Sequence, residues 1–447
     1  MNGEMKHSGI AWIGNIPKDW DSRRLKSLGY LYGGLSGKSG EDFNVNEETD
    51  LYSFYIPFTN IFNNTVVQID TLHKVKVERG EKQNAVQKGD ILFLMSSEDF
   101  DGLGKPCLMS ESINNLYLNS FCKGFRIVDK KIYPTYLNYL LLSHPIRQQI
   151  ISMGNGFIRI NLRAEKLANA MLVIPPLAEQ KAIADFLDKK CGEIDELVAL
   201  QEKIIEELKS YKQSVITETV CKGLNPNAPM KDSGVEWIGE IPEVWQVVKL
   251  GLLTSKIGSG STPSGGAEVY TDDGVKFIRS QNVYFEGFNL TDVAHISYEI
   301  DEQMKGTQVQ NGDILFNITG GSIGRCCDVD ATLGEANVNQ HVCIVRPTKI
   351  KTKYLKYYLQ SDNGQIQVKL LQTGGNRDGL SADAFKKFHI VLPSSIEQQE
   401  IADYLDKKCS EIDQLITIKQ QKIVELKEYK KSLIYEYTTG KKEVLHG

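Results

Sequence analysis

The sequence lacks long apolar runs. No stretch of its 447 residues approaches the ~18 consecutive apolar positions that a membrane span requires. The opening residues, MNGEMKHSGI, lack the apolar centre of a signal peptide. The sequence therefore predicts a cytoplasmic protein. Its 41% hydrophobic and 24% charged residues are typical of globular domains that bury a core.

Metal-binding and disulfide patterns are also missing. The eight cysteines form no C-x-x-C pair, and their one doublet is Cys326-Cys327. The seven histidines show no H-x-H or H-E-x-x-H spacing. We therefore predict reduced thiols and no metal site. The net charge of −5 lacks the basic excess of many nucleic-acid-binding proteins, which argues against that class.

What the sequence does contain is a long internal repeat. SGIAWIGNIPKDW (8–20) returns as SGVEWIGEIPEVW (233–245), and residues 174–197 return at 392–415. The offsets are 233 − 8 = 225 and 392 − 174 = 218, which is the length of a domain rather than of a solenoid repeat. The two copies differ strongly between these anchors. The sequence therefore predicts one module in tandem, with two similar frames that present different surfaces.

Each copy ends in a segment with the pattern of a long helix. Residues 177 to about 219 contain no proline, and apolar residues recur at nearly heptad spacing. The heptad-like positions are Leu187, Ile194, Leu197, Ile204, Leu208, Tyr211 and Val215, and in the second copy Leu405, Ile412, Leu415, Ile423, Leu426, Tyr429 and Leu433. We predict that the two helices pair as a coiled coil. The alternative is that each helix lies on its own domain.

The segments before the long helices indicate a mixed domain. Short β-rich runs such as GDILFLM (89–95) and GDILFNI (312–318) are bounded by turn residues. A short helix is predicted at 135–150 and again at 351–370. The fold class is therefore α+β, as two tandem repeats of a mixed α/β domain that is followed by a long helix. The predicted boundaries are 1–175 for the first domain, 176–222 for the first helix, 223–393 for a connector and the second domain, and 394–447 for the second helix.

The four tryptophans occupy matching places in the two copies, Trp12 and Trp20 in the first and Trp237 and Trp245 in the second. Large apolar side chains at equivalent positions favour a structural role. We predict that they fix the connector to the domain or helix ends, rather than bind a ligand.

Glycine-rich loops resemble phosphate-binding loops only superficially. GGLSGKSG (33–40) has Tyr32 where a P-loop requires its first glycine, and the equivalent 257–266 has no lysine. We expect a loop at the domain edge, whose amides and hydroxyls could contact DNA phosphates. GGSIGR (320–325) and its counterpart GLGK (102–105) could be simple turns or phosphate cradles. The chain also lacks the [DN]-P-P-[YF] and F-x-G-x-G motifs of amino methyltransferases.

Taken together, these motifs resemble the specificity subunit of a type I restriction–modification system. The resemblance spans essentially all 447 residues. It rests on SG.EWIGEIPE.W (233–245), IP.L.EQ.AIA.FLDKKC..ID.L (174–197), GDIL (312–315) and their copies in the other half. The first half departs from the family pattern after GDILF, where SSEDFDGLG (96–104) replaces the GSIG sequence, so the loop geometry there is in question.

The resemblance implies that each α+β domain is a target-recognition domain, which reads one half of a split, asymmetric DNA site. It implies an antiparallel pair of long helices whose length sets the spacer between the half-sites. The implied partners are double-stranded DNA, two methyltransferase subunits and, through them, restriction subunits, with no membrane partner. S-adenosylmethionine, ATP and Mg are implied on the partner subunits. The chain itself is expected to bind no cofactor and to catalyse nothing.

Base-reading side chains are expected in the divergent interior, because Arg and Lys pair with guanine and Asn and Gln with adenine. The candidates in the first half are Lys38, Ser39, Asn60, Asn155, Arg159, Asn161 and Arg163. Those in the second half are Ser261, Thr262, Arg279, Gln281, Asn282, Asn376 and Arg377. Each could equally be a solvated surface residue. Arg159 and Arg377 occupy matching places in the two copies, which favours a role in phosphate binding or structure.

Two other classes remain open. A paired-domain scaffold without DNA contact would keep its folding and partner binding, with no DNA-dependent effect, when Arg279 and Arg377 are changed to Ala. An enzyme with an unfamiliar motif would show activity as an isolated chain.

Overall fold

The chain folds into two compact units, one formed by Met1–Gln201 with Gln421–Gly447 and the other by Glu202–Gln420, here called unit 1 and unit 2. The computed structural model describes residues 4–46, 51–78, 80–156, 159–372 and 379–444. The long helices divide between the units, so each unit contains part of both.

Unit 1 contains the elements of the first copy. Its strands are β1 (Met5–His7), β2 (Asn15–Pro17), β3 (Asp21–Arg24), β4 (Gly29–Gly33), β5 (Tyr52–Ile56), β6 (His73–Lys76), β7 (Ile91–Leu94), β8 (Ser96–Ser97), β9 (Pro106–Leu108), β10 (Leu116–Leu118), β11 (Cys122–Ile127), β12 (Ile160–Asn161) and β13 (Met171–Ile174). Its helices are α1 (Phe58–Asn63), α2 (Pro134–Leu142), α3 (His144–Ser152), α4 (Ala164–Ala168) and the first half of α5 (Leu177–Lys222).

Unit 2 contains the elements of the second copy. Its strands are β14 (Met230–Asp232), β15 (Glu240–Pro242), β16 (Gln246–Lys249), β17 (Thr254–Ser259), β18 (Val275–Ile278), β19 (Val283–Tyr284), β20 (Gly287–Phe288), β21 (Ala294–Ile296), β22 (Ile314–Asn317), β23 (Cys326–Asp328), β24 (Ala336–Val338), β25 (Val342–Pro347) and β26 (His389–Leu392). Its helices are α6 (Tyr298–Gln303), α7 (Thr352–Gln360), α8 (Asp362–Leu371), α9 (Ala382–Phe385) and most of α10 (Ser395–Thr438).

The two units share one sheet topology. Unit 1 has an antiparallel sheet in the order β4-β11-β7-β9 and a second sheet β10-β5-β6, in which β10 and β5 are parallel. Unit 2 has the antiparallel sheet β17-β25-β22-β23 and the sheet β21-β18-β24, in which β18 and β24 are parallel. The predicted α+β tandem repeat is therefore confirmed.

The repeated GDILF sequence has a clear structural cause. Gly89 and Gly312 have φ of 90° and 87°, a left-handed conformation that glycine adopts without strain. The next residue, Asp90 or Asp313, is buried and accepts a backbone N–H from three residues upstream, at 2.8 Å and 2.7 Å. The following apolar residues form the buried strands β7 and β22. The motif thus builds a tight turn into the centre of each sheet.

Each predicted short helix is in fact two helices. α2 ends and α3 begins at Ser143, and α7 ends and α8 begins at Ser361. Both serines are extended, with ψ of 141° and 163°, and the Ser361 hydroxyl accepts the Gly364 N–H as an N-cap. Serine is a favoured capping residue because its hydroxyl satisfies an otherwise unpaired helix N–H. The prediction of one continuous helix was wrong for this reason.

The predicted pairing of the long helices is confirmed within unit 1. The rings of Phe186 on α5 and Tyr437 on α10 lie 4.4 Å apart, and Lys430 Nζ lies 2.6 Å from Asp195 Oδ2. Residue numbers rise along α5 while they fall along α10, so the helices are antiparallel. Ile194, Val198 and Leu433 join the buried core of this unit.

Unit 2 contains the equivalent helix contact. Lys212 Nζ on α5 lies 2.8 Å from Asp413 Oδ2 on α10. Asp413 occupies the position of Asp195 in the second copy (413 − 195 = 218), and Lys430 occupies that of Lys212 (430 − 212 = 218). The two ion pairs are therefore equivalent, with the roles of the two helices exchanged. An aspartate of one helix therefore binds a lysine of the other in both units, as a duplicated helix pair requires.

The heptad assignment was wrong at four positions. Leu197, Tyr211, Leu415 and Tyr429 are 45–55% exposed. The buried face of α5 includes instead Val198, Ile205 and Ile216. An α-helix with 3.6 residues per turn drifts by about 20° per heptad, so a strict seven-residue count leaves the buried face along a helix of this length.

The tryptophan anchors are confirmed at two positions. Trp20 and Trp245 are buried, and their indole N–H groups donate to Glu179 at 3.0 Å and Glu397 at 3.1 Å, in the first turns of α5 and α10. The prediction was wrong for Trp12, which is 52% exposed. Neighbouring Ile10 and Ile13 occupy the core there instead.

The cysteines are packing residues. All eight are free thiols and buried. Burial raises the pKa of Cys107, Cys122 and Cys343 to about 12 and that of Cys191 to about 11, because the thiolate would be poorly solvated. Among the described residues, no group of histidine, cysteine or carboxylate side chains could hold a metal ion, and no helix is long and apolar enough to cross a membrane.

We therefore expect native thiols to react slowly with Ellman's reagent, since the thiolate is the reactive form. At pH 8, less than one thiol per chain should react within minutes, whereas all eight should react at once in guanidinium chloride. A rapidly reacting thiol in the native protein would contradict the burial assignment.

Candidate nucleic-acid interface

Loops from four elements meet at one edge of unit 1. The start of β11 pairs with the ends of β4 and β7, through Lys123 with Gly33 and Cys122 with Leu94. The Asn119 N–H donates to Ile56 O, at 3.1 Å, and thus places the end of β5 beside them. The loops after β4 and β7, helix α1 and the turn before β11 therefore share this loop edge of unit 1.

Unit 2 has the same loop edge. β25 pairs with the ends of β17 and β22, through Cys343 with Ser259 and Val342 with Asn317. The Asn339 N–H donates to Ile278 O, at 3.1 Å, at the end of β18. The loops after β17, β18 and β22 and the turn before β25 therefore lie together. Predicted candidates fall on both edges.

Several candidates of unit 1 lie together at its loop edge. Arg159 is exposed, and its Nε donates to Ser96 Oγ at 2.6 Å. Asn155 and Asn161 are exposed and exchange backbone hydrogen bonds of 3.0 Å and 2.8 Å. Arg163 is exposed and precedes α4. These four polar side chains are available to an external ligand.

The loop after β4 uses its own polar groups. The Lys38 side chain is 7% exposed, and its Nζ lies 2.7 Å from Glu81. This bond, with one from Gln83, lowers the pKa of the Glu81 carboxyl to about 2. Ser39 precedes the short helical turn Gly40–Phe43, and its backbone N–H donates to the Asp42 carboxylate at 2.7 Å. Tyr32, which lies near the end of the strand before this loop, donates to the buried Asp90 at 2.6 Å. The polar groups of this loop are therefore bonded to carboxylates of the same unit.

Two candidates are part of the fold. Asn60 and Asn282 are buried, and their amides donate to Gln68 O at 2.7 Å and Asn289 O at 2.9 Å. Both asparagines occupy the same place in the two copies. In each unit this bond joins the asparagine to a residue seven or eight positions later and so closes the loop after β5 or β18. This structural role explains why both copies have asparagine at this position.

The remaining candidates of unit 2 lie on its loop edge. Ser261, Thr262 and Gln281 are exposed. Arg279 follows β18, donates to Asp292 O at 3.0 Å and lies over the ring of Tyr270. Its buried Nε has no partner among the described atoms. Asn376 and Arg377 lie outside the described residues.

Sequence reasoning missed the turn residues Phe121 and His341. Each follows Asn119 or Asn339 by two positions and donates its N–H to that asparagine Oδ1, at 2.9 Å and 3.1 Å. The two turns therefore have the same hydrogen bond, but one presents the phenyl ring of Phe121 and the other the imidazole ring of His341. A divergent residue beside a shared asparagine was the signal that could have identified them.

The two glycine loops form turns. Gly320 and Gly324 have positive φ, and the Arg325 N–H donates to Ser322 O at 3.1 Å. Residues 320–324 also have the G-x-S-x-G spacing of hydrolases, but Ser322 Oγ accepts from the Asn317 amide at 3.2 Å. An activated serine requires a base in that position. In the counterpart loop, Lys105 Nζ donates to Phe62 O.

Comparisons with known proteins agree with this duplicated frame. A family model described as "Type I restriction modification DNA specificity domain" matches residues 17–210 and 242–428, and the chain belongs to this family. The MjaX and MjaVIII type I restriction enzyme specificity subunits of Methanocaldococcus jannaschii are 28% and 26% identical to it. These matches cover 96% and 95% of this chain and 95% and 93% of theirs.

Solved structures show the same fold. A chain from a study of complex assembly and conformational transition of the type I R-M system has a TM-score of 0.71 at 15% identity. The HsdS subunit from Thermoanaerobacter tengcongensis has a TM-score of 0.52 at 17% identity. Both matches cover 95% of this chain and 98% of the other. The chain is thus a DNA sequence-recognition protein of the type I restriction–modification class, with two recognition domains.

Proposed function

We propose that the chain reads a split, asymmetric DNA site, with one half-site at the loop edge of each unit. The observation that supports this most directly is the contrast between frame and edge. The frames share equivalent hydrogen bonds, such as those of Tyr136 and Tyr354, which donate to Val173 O at 3.0 Å and Val391 O at 2.8 Å. The edges carry different side chains, so the two domains would read different bases.

The proposed base- and phosphate-contacting residues are those that the fold leaves exposed or partly exposed at these edges. They are Asn155, Arg159, Asn161 and Arg163 in unit 1 and Ser261, Thr262, Arg279 and Gln281 in unit 2. Asn376 and Arg377 remain predicted contacts. Lys38, Ser39, Asn60 and Asn282 are assigned to the fold, because their polar groups are bonded within it.

The duplication also supports a role in assembly. A chain with two equivalent frames presents the same surface twice, which suits two copies of one partner. We propose that these are two methyltransferase subunits, through which restriction subunits join. Reaction chemistry and its cofactors would reside on the partners. Much of the phosphate binding would also come from them, consistent with the net charge of −5.

The decisive experiment is a methylation map. The chain is co-expressed with its methyltransferase partner in a host without adenine methylation, and N6-methyladenine is located genome-wide. We expect a split motif that disappears when this chain is omitted. Arg279→Ala should weaken methylation while the purified complex keeps its composition. Random or absent methylation by a well-formed complex would contradict DNA reading and support the scaffold function.

A further inference from the structure

A cavity of about 300 Å³ opens at the loop edge of unit 1. Its wall combines three aromatic rings, one guanidinium and two carboxylates, from Phe58, Phe62, Phe121, Arg159, Glu98 and Asp99. These residues come from α1, the loop after β8, the turn before β11 and the segment before β12. The cavity therefore lies where the loops of the proposed DNA-reading edge converge.

The aromatic part of the cavity is exposed. The rings of Phe58 and Phe62 stack with centroids 5.9 Å apart and planes 19° from parallel. Phe121 is 59% exposed although it is a large apolar residue. Phe62 is 38% exposed, and Phe58 is partly buried against the core of the unit. Single exposed apolar residues are common, but two that converge with a third ring on one cavity indicate a binding surface.

The polar groups of the cavity are held in place. The Arg159 guanidinium lies 5.6 Å from the centre of the Phe121 ring, and its Nε donates to Ser96 Oγ at 2.6 Å. Asp99 Oδ1 accepts the Gly102 N–H at 2.7 Å and the Ser97 hydroxyl at 3.2 Å. A Cβ atom at Gly102 would lie 2.5 Å from Ser97 Oγ and 2.9 Å from the Phe62 ring, so a larger residue there would displace both side chains. The carboxylate thus has a fixed direction.

The same place in unit 2 has a different chemistry. His341 occupies the position of Phe121, and its Nδ1 lies 2.7 Å from Thr319 Oγ1. Its Nε2 lies 3.1 Å from Gln340 Nε2, and Gln340 Oε1 accepts the Thr262 hydroxyl. Equivalent turns therefore present a carboxylate-lined aromatic cavity in one unit and a chain of hydrogen-bonding groups without a carboxylate in the other.

We propose that the unit 1 cavity is a base-reading site, which takes the exocyclic amino group of an adenine or a cytosine at one position of its half-site. A carboxylate only accepts hydrogen bonds, so it pairs with amino groups and opposes the oxygen acceptors of guanine and thymine. The two carboxylates outnumber the single guanidinium of Arg159 in the wall, so they also disfavour a phosphate. The phenylalanine rings exclude water and hold the base edge. This assignment rests on the proposed function.

The test begins with methylation maps of Asp99→Asn and Phe121→Leu, with His341→Ala as the matched variant in unit 2. Asp99→Asn adds a donor at almost constant size. We expect Asp99→Asn and Phe121→Leu to relax one position of one half-site by about tenfold, the usual scale of one base contact, with the other half-site and the spacer unchanged. His341→Ala should relax the opposite half-site. Thermal unfolding and complex composition should match the wild type.

A second measurement identifies the atom. The methylation rate of the purified complex is measured on DNA duplexes that lack one amino group at the relaxed position. Deoxynebularine replaces the adenine nucleoside there, or deoxyzebularine replaces the cytosine nucleoside. Wild-type activity should fall about tenfold on one of the two, whereas Asp99→Asn should show no such difference. A wild-type split motif that both unit 1 variants leave unchanged, or equal losses in wild type and Asp99→Asn, would overturn the proposal. A wild type without a split motif would instead overturn the proposed function.

Discussion

A heptad inserted into each long helix, between residues 201 and 202 and between 420 and 421, is expected to lengthen the spacer of the methylated motif by about 3 base pairs. Seven residues add about 10.5 Å of helix, and one base pair rises about 3.4 Å. The insertion points are the boundaries between the two units, so the contacts within each unit are left in place.

Helix phase makes the insertion testable. Seven residues complete nearly two turns, so the buried faces stay aligned to within about 20°. Five residues would rotate one half of each helix by about 140° and serve as the out-of-phase control. The methylation map should show the original half-sites at a wider spacing for the heptad variant and no methylation for the control. The original spacing in the heptad variant would refute the helix pair as the spacer ruler.

The frame of the fold could be predicted because its residues recur in both copies of the duplicated sequence. The sequence alone indicated both long helices and the β-rich segments, and repeated residues such as Trp20 and Trp245 proved to be structural anchors. Comparison of two copies separates what the frame requires from what varies. This is why Asn60 and Asn282, shared by both copies, were poor candidates for reading different bases.

The details that could not be predicted depend on tertiary contacts. Heptad counting cannot show which face of α5 is buried, since Leu197 is exposed while its neighbour Val198 is buried. Composition cannot show that the Lys38 ammonium group is paired with the Glu81 carboxylate, 43 residues away in the sequence. The cavity beside Phe121 arises from four separate segments, so no local pattern reveals it.

Loss of the buried carboxylate in unit 2 should have the largest effect on stability. The Asp313 side chain is fully buried, and Arg346 donates to it from Nε at 2.7 Å and Nη2 at 2.8 Å. The Gln310 N–H donates to it as well, at 2.7 Å. In Asp313→Ala this N–H loses its acceptor, and the guanidinium keeps only its bond to Gln308 O, at 3.3 Å. We expect the free energy of unfolding to fall by about 3–5 kcal/mol.

The measurement is urea unfolding together with hydrogen exchange of peptides from β22 and β25. Asp273→Ala, an exposed aspartate of the same unit, is the control and should change the free energy by less than about 0.5 kcal/mol. The double variant Asp313→Leu with Arg346→Met should recover most of the loss, because it removes both charges rather than leaving one buried.

Asp90→Ala should act in the same way on β7 and β11 of unit 1, where Arg126 Nη2 lies 2.7 Å from Asp90 Oδ2. If the single and double variants were equally unstable, the cost would lie in packing volume, and the turn built by GDILF would not depend on its charge.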